Sequence, residues 1–154
     1  HRFQQLHPVV FAFGLELGVA GELMQLGELA ALTRLRHGPV LPVTQADARL
    51  VVGPVCARPG PCPLCARLYL LDRDANWDVV EQHVPFNAHG EAATAAAGAA
   101  FAAVALRRLT GVPDPPGVSA PAPTPGQLTV VDPFAPTPLA TASVPPHPDC
   151  PVCF

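Results

Sequence analysis

The sequence predicts a single mixed α/β domain built in layers, with its C-terminus tied back to the middle of the chain. Three observations carry that expectation. A helix-like leucine stripe precedes two short apolar runs, and further helical and strand-like segments follow, an order suited to helices packed on a sheet. The 154 residues suffice to bury one real core, and 49% of them are apolar. Two Cys-x-x-Cys pairs, Cys62/Cys65 and Cys150/Cys153, stand 150 − 65 − 1 = 84 residues apart.

In order along the chain, residues 8–20 are apolar, interrupted by Glu16 and by glycines at 14 and 18, with Gly21 following. They read as a buried strand or turn feeding a helix. The glycine spacing is neither G-x-G-x-x-G nor a Walker pattern, so no nucleotide cofactor site is expected. From Glu22 to Arg36, leucines at 23, 26, 29, 32 and 35 mark a helix with one buried stripe, stopped by His37-Gly38-Pro39. Val40 to Val43 and Leu50 to Val52 read as short strands around the turn-prone Gln45-Ala46-Asp47, apolar enough to be covered on both faces.

Gly53-Pro54 ends the second run, and the loop Cys56 to Pro61 leads to Cys62. Proline before Cys62 and at Pro63 fixes φ and limits the entropy lost when the pair is ordered. Ala66 to Leu71 is helical in character, and Asp74 is placed as the N-cap of a second helix through Trp77 to His83, ended by Pro85. Asp72-Arg73-Asp74 reads as capping plus a surface ion pair rather than a catalytic cluster. Trp77, the only tryptophan, is expected in the core or an interface.

Gly90 to Thr110 is a strong helix former closed by Arg107, Arg108 and Gly111, with basic residues suited to the helix dipole. Small and apolar nearly all round, it is expected to be buried against a sheet or another subunit. Residues 112–126 form a proline-rich loop without periodicity. Gln127 to Val131 and Leu139 to Val144 then read as a hairpin, which the prolines at 133, 136 and 138 place at a sheet edge or an open loop. The whole of 1–154 is read as one domain.

Composition excludes several function classes. All nine basic residues are arginines, so no phosphate-loop or Schiff-base lysine exists. A formal net charge of −3 argues against a nucleic-acid partner. No uninterrupted apolar run reaches the roughly 18 residues of a spanning helix, so no membrane partner is expected. The chain opens on His1, with no signal-peptide pattern behind it. Five cysteines, an odd number, disfavour a fully paired disulfide framework, and reduced Cys-x-x-Cys pairs suit a cytoplasmic protein.

At Cys-x-x-Cys spacing, two thiolates on one tight knuckle can face the same tetrahedral ion. A compact ribbon would separate the pairs by roughly 15–20 residues. The wide gap instead describes a long-range clasp. Structural zinc, a redox dithiol or disulfide, and catalytic zinc are the three readings of Cys62, Cys65, Cys150 and Cys153. Four thiolates leave no open position for a catalytic water, which favours structural Zn2+. His147 is expected to support or pack against the site rather than ligate. Cys56 reads as a buried thiol; as an alternative catalytic nucleophile it would need a base, and with no histidine near it in sequence His83 or His89 would have to supply one through the fold. The apolar helix and the leucine stripe together also raise the expectation of a homodimer.

Val51-Val52-Gly53-Pro54, the Pro-Gly-Pro-Cys-Pro-Leu-Cys of 59–65, Asp72-Arg73-Asp74 with Trp77, the alanine-rich helix, the late strands and the terminal His147-Pro148-x-Cys150-x-x-Cys153 resemble the C-terminal half of ThiF-like proteins. More narrowly, residues 48–154 resemble the bacteriocin-biosynthesis cyclodehydratase branch of thiazole/oxazole-modified peptide pathways. The cysteine pairs in that context are the specific part of the likeness. The resemblance implies a truncated ThiF/Rossmann-derived layer, related to ubiquitin-activating-type adenylating enzymes, with a structural four-cysteine zinc. It also implies a protein without adenylating activity of its own. Such a protein binds the leader of a ribosomal precursor peptide and presents its core to a YcaO-type enzyme, which uses ATP to cyclise Cys, Ser or Thr side chains. The chain departs from that pattern in having neither the glycine-rich nucleotide loop nor an identifiable winged-helix leader-binding domain. A pared-down scaffold or docking subunit is the expectation; a degenerate adenylating or Cys56-dependent enzyme is the alternative.

Overall fold

A computed structural model describes residues 7–12, 16–19, 39–46, 48–76 and 91–153. The described residues form one six-stranded sheet in the order β2-β1-β3-β4-β5-β6, with two helices. Strands β1 (His7–Ala12), β2 (Glu16–Val19), β3 (Val40–Ala46) and β4 (Arg49–Val52) come first. Helices α1 (Pro63–Arg73) and α2 (Ala92–Leu109) follow, and β5 (Gln127–Val131) and β6 (Leu139–Ser143) complete the sheet.

The mixed α/β expectation holds in content. A doubly wound layer is built on mostly parallel strands, whereas every pairing described here is antiparallel. Short connections explain this for β3–β4 and β5–β6, because only antiparallel neighbours can be joined by a hairpin rather than a crossover. The strands expected at 40–43, 50–52, 127–131 and 139–144 are all present, and β6 takes the edge position that its flanking prolines indicated.

Alternation along β4 buries Leu50 and Val52. Register then sets Val52 beside Val43 and Thr129, and Leu50 beside Val131, so one face of the central strands is a continuous apolar patch. Helix α2 lies on it through Thr94, Gly98, Ala102 and Ala105, a single stripe at helical spacing. A Cβ on Gly98 would meet Leu50 Cδ2 at 2.5 Å, so the absence of a side chain there sets how closely helix and sheet approach. The Thr94 hydroxyl donates to Ala48 O at 2.9 Å and anchors the helix start to the β3–β4 turn. Glu91 caps the same end by accepting from the Thr94 amide at 2.8 Å.

The helix is buried against the sheet along this stripe. Its outer positions are exposed, Val104 among them, because the sheet covers only one stripe. Among the described residues it is the one helix long and apolar enough to cross a membrane. Helix α1 begins at Pro63, earlier than the apolar run alone suggested, because proline suits a first helical position. Asp74 ends α1, and its carboxylate accepts the Asn76 amide at 2.9 Å; the helix expected to start there runs on into residues outside the described ones. The leucine-striped segment 22–36, the segment 77–83 with Trp77, and the histidines at 83 and 89 lie outside the described residues.

Candidate metal centre

Both cysteine pairs descend from the same end of the sheet. Strand β4 leaves that end through Gly53, whose φ of +108° lets the chain pass β5; a Cβ there would meet Gln127 O at 2.7 Å. The outgoing chain is then pinned on both sides. Val55 donates to Gln127 O at 2.9 Å and its carbonyl accepts from Gly126 at 2.8 Å, while Cys56 and Val40 exchange two bonds of 2.8 Å. Strand β6 ends beside the start of β5, with Ser143 opposite Gln127 and the Val144 amide on Gly126 O at 2.8 Å. Neighbouring strand ends thus deliver Pro61-Cys62 and Pro146-His147 to one place. The 84 intervening residues are closed by the sheet itself.

Each knuckle is a tight turn. The Cys65 amide donates to Cys62 O at 2.9 Å at the head of α1, and the Cys153 amide donates to Cys150 O at 3.3 Å. Cys62 Sγ lies 3.7 Å from Cys65 Sγ and 3.5 Å from Cys150 Sγ; Cys65 Sγ lies 3.4 Å from Cys153 Sγ. All four sulfurs fall within 4.8 Å of one another. Sulfurs at the corners of a tetrahedron with metal–sulfur bonds of about 2.3 Å would be roughly 3.8 Å apart. The set therefore matches a four-thiolate site for a metal ion such as zinc. A disulfide needs sulfurs about 2.05 Å apart, and all five cysteines are free thiols.

Electrostatics make the site hungry for a cation. Burial pushes the Cys62 thiol well above its ordinary value, opposed by the Cys65 backbone N–H and reinforced by the neighbouring thiols. Burial also pushes Cys153 up to about 11. At Cys150 burial again opposes ionisation, but the Val152 and Cys153 backbone N–H groups and the adjacent sulfurs outweigh it and hold this thiol below its usual range. Several anions cannot share so small a volume unaided. A divalent ion would displace the protons and offset two of the four thiolate charges.

A second layer of contacts holds the terminal knuckle. His147 is only 1% exposed, and both ring nitrogens are engaged. Its Nδ1 accepts from the Asp149 amide at 3.1 Å, so Nε2 carries the proton and donates to Asp72 Oδ2 at 2.9 Å. Tyr69 packs edge-on against the imidazole at 4.6 Å, and its hydroxyl donates to Pro146 O at 3.4 Å. His147 thus supports the site and has no nitrogen left to ligate. Asp72 serves this histidine, and Tyr69 completes the contact. Sequence spacing gave no direct sign of either partner, although both lie on α1 immediately after the first cysteine pair.

Cys56 stands apart from the four. Its buried thiol donates to Pro54 O at 3.2 Å, and burial, with Cys62 and Cys65 adding to it, drives its ionisation far above the ordinary thiol range. No protein-family model, curated protein or solved structure matches the chain.

Proposed function

We propose that the chain is a non-catalytic, ThiF-like scaffold, held by a structural zinc, that binds a ribosomal precursor peptide and presents it to a YcaO-type azoline-forming enzyme. The observation that carries this reading is the convergence of Cys62, Cys65, Cys150 and Cys153 into one four-sulfur cluster. A zinc held by four thiolates has no open position for water or substrate, so its contribution is to the fold. The ThiF parentage and the peptide partner rest on the sequence context of the two pairs, and the antiparallel sheet adds nothing to them. The alternative, a peptide-modifying enzyme using Cys56, is disfavoured by the thiol's burial and suppressed ionisation, since the thiolate is the nucleophile.

Reconstitution tests the scaffold reading. A precursor peptide, a YcaO-type enzyme and ATP are combined with and without the chain, and ring formation is read as water lost from the peptide mass. The scaffold accelerates ring formation and leaves ATP untouched when alone. Equal conversion without the chain, or ATP turnover by the chain alone, would overturn the reading. Cys56→Ala is expected to leave both conversion and metal content unchanged; loss of conversion in a folded, metal-loaded Cys56→Ala protein would establish the enzyme alternative.

A further inference from the structure

Strand β6 presents an edge with no pairing partner among the described residues. Hydrogen bonds from Asp132 to Pro138 O and from Val144 to Gly126 O fix which of its groups face β5. With the register alternating between them, Ala140 and Ala142 bond inward, and the N–H and C=O of Leu139, Thr141 and Ser143 point outward. None of these three is proline. All five residues of β6 are exposed.

Sheet edges left open in this way are usually blunted by charged side chains, prolines or bulges. Here the prolines sit only outside the strand, at 136 and 138 before it and at 145 and 146 after it. Between Pro133 and Pro148 there is no Asp, Glu, Lys or Arg. The apolar side chains Phe134, 65% exposed, and Leu139 stand at the beginning of the same edge. Leu139, Thr141 and Ser143 lie opposite Val131, Thr129 and Gln127, so they share the sheet face that α2 covers further in, beyond the reach of that helix.

We infer that β6 is a self-pairing edge, and that a second copy of this chain adds its own β6 antiparallel to it. Three features select a second copy over an unrelated strand. The five-residue window is bounded by prolines on both sides, so two copies offer windows of equal length. Centred on Thr141, the register sets Leu139 opposite the partner copy's Ser143 and Thr141 opposite Thr141, using every outward group, each opposed pair exchanging two hydrogen bonds. The edge carries no charge to repel its own image, while the Thr–Thr pair at the axis is a favourable cross-strand neighbour. The pairing is short, so it forms a weak, reversible dimer rather than an obligate one. It is independent of the peptide-presenting reading and of the metal.

Thr141→Pro is the discriminating variant. The Thr141 N–H faces outward, so proline there removes a donor from the edge and leaves the β5–β6 ladder intact. Sedimentation equilibrium across the micromolar range is expected to show the native chain rising toward twice its monomer mass. Thr141→Pro and Thr141→Lys are expected to stay monomeric with unchanged metal content and thermal midpoint. A native chain that remains monomeric throughout overturns the inference. So does a dimer that survives in either variant. If the native chain is monomeric but its Leu139, Thr141 and Ser143 amides gain exchange protection on adding a precursor peptide, the edge takes a foreign strand and the self-pairing assignment fails.

Discussion

Two apolar clusters hold the described structure, and they do so by different physics. The first joins Leu41, Val43, Leu50, Val52 and Val131 of the sheet to Ala102 and Ala105 of α2. It is ordinary close packing, whose strength comes from many small contacts and the exclusion of water. The second joins Leu64, Leu68 and Val152 to the cysteine sulfurs at the far end of the sheet. It has few carbon atoms, and four thiols crowd its centre. The first is complete in its carbon contacts, whereas the second gathers four sulfurs that could hold a metal ion. Where hydrophobic area is small, coordination is the interaction those residues offer for holding this end of the chain.

The largest effect that separates the two regions comes from the metal. Structural zinc contributes on the order of 10–16 kcal/mol of apparent binding energy in small peptides, against about 5–15 kcal/mol for the whole stability of a typical domain. Cys150→Ser is expected to yield insoluble or partly unfolded protein, and a chelator to lower the thermal midpoint of the native chain sharply. A soluble Cys150→Ser protein with an unchanged midpoint in calorimetry would remove the metal from this account. Leu50→Ala acts on the other region. It should cost about 2–5 kcal/mol in denaturant unfolding through the cavity left beneath Gly98 and beside Val131, while the metal stoichiometry stays the same.

His147→Ala sharpens the comparison at the boundary of the clasp. It removes the bond to Asp72 and the ring packed on Tyr69, and should weaken metal retention by roughly 10- to 100-fold in competition with a chelating dye. Affinity unchanged in that titration would reduce the histidine to packing. The smallest expected effect lies at the start of α2. Backbone N–H groups of Thr94 and Ala93 hold the Glu91 carboxyl below its ordinary range. Its folded-state pKa is therefore depressed, so its stabilisation is present above the unfolded-state value and is lost as pH falls through the folded one. Glu91→Gln should flatten this small acid-side dependence and leave stability at neutral pH slightly reduced, as read by thermal unfolding across the acidic range.

The clusters also differ in how far the sequence announced them. The clasp was legible because cysteine chemistry is carried by a handful of residues at fixed spacing, and Cys-x-x-Cys keeps its meaning whatever separates the halves. The strands of the packed region were legible too, from short apolar runs with turn residues between them. Their direction was not. Runs such as Leu50 to Val52 read alike in parallel and antiparallel sheets when one strand is only four residues long, and only the register with β3 and β5 decides. Composition likewise gave no sign of which face of α2 the sheet would cover: alanine recurs all round the helix and is small enough to leave the outer positions in solvent at little cost. The His147–Asp72–Tyr69 contact was invisible because its members are 75 and 77 or so residues from their partners and share no motif.

Native mass spectrometry of the purified chain, read before and after treatment with a chelator, reports metal content and thiol state in the same spectra. One zinc per chain with every cysteine reduced is expected, with a shift to the broad, highly charged ions of a loosened protein once the metal is removed. A metal-free chain whose mass is lower by paired hydrogens would show that the sulfurs are joined to one another, and would contradict the clasp.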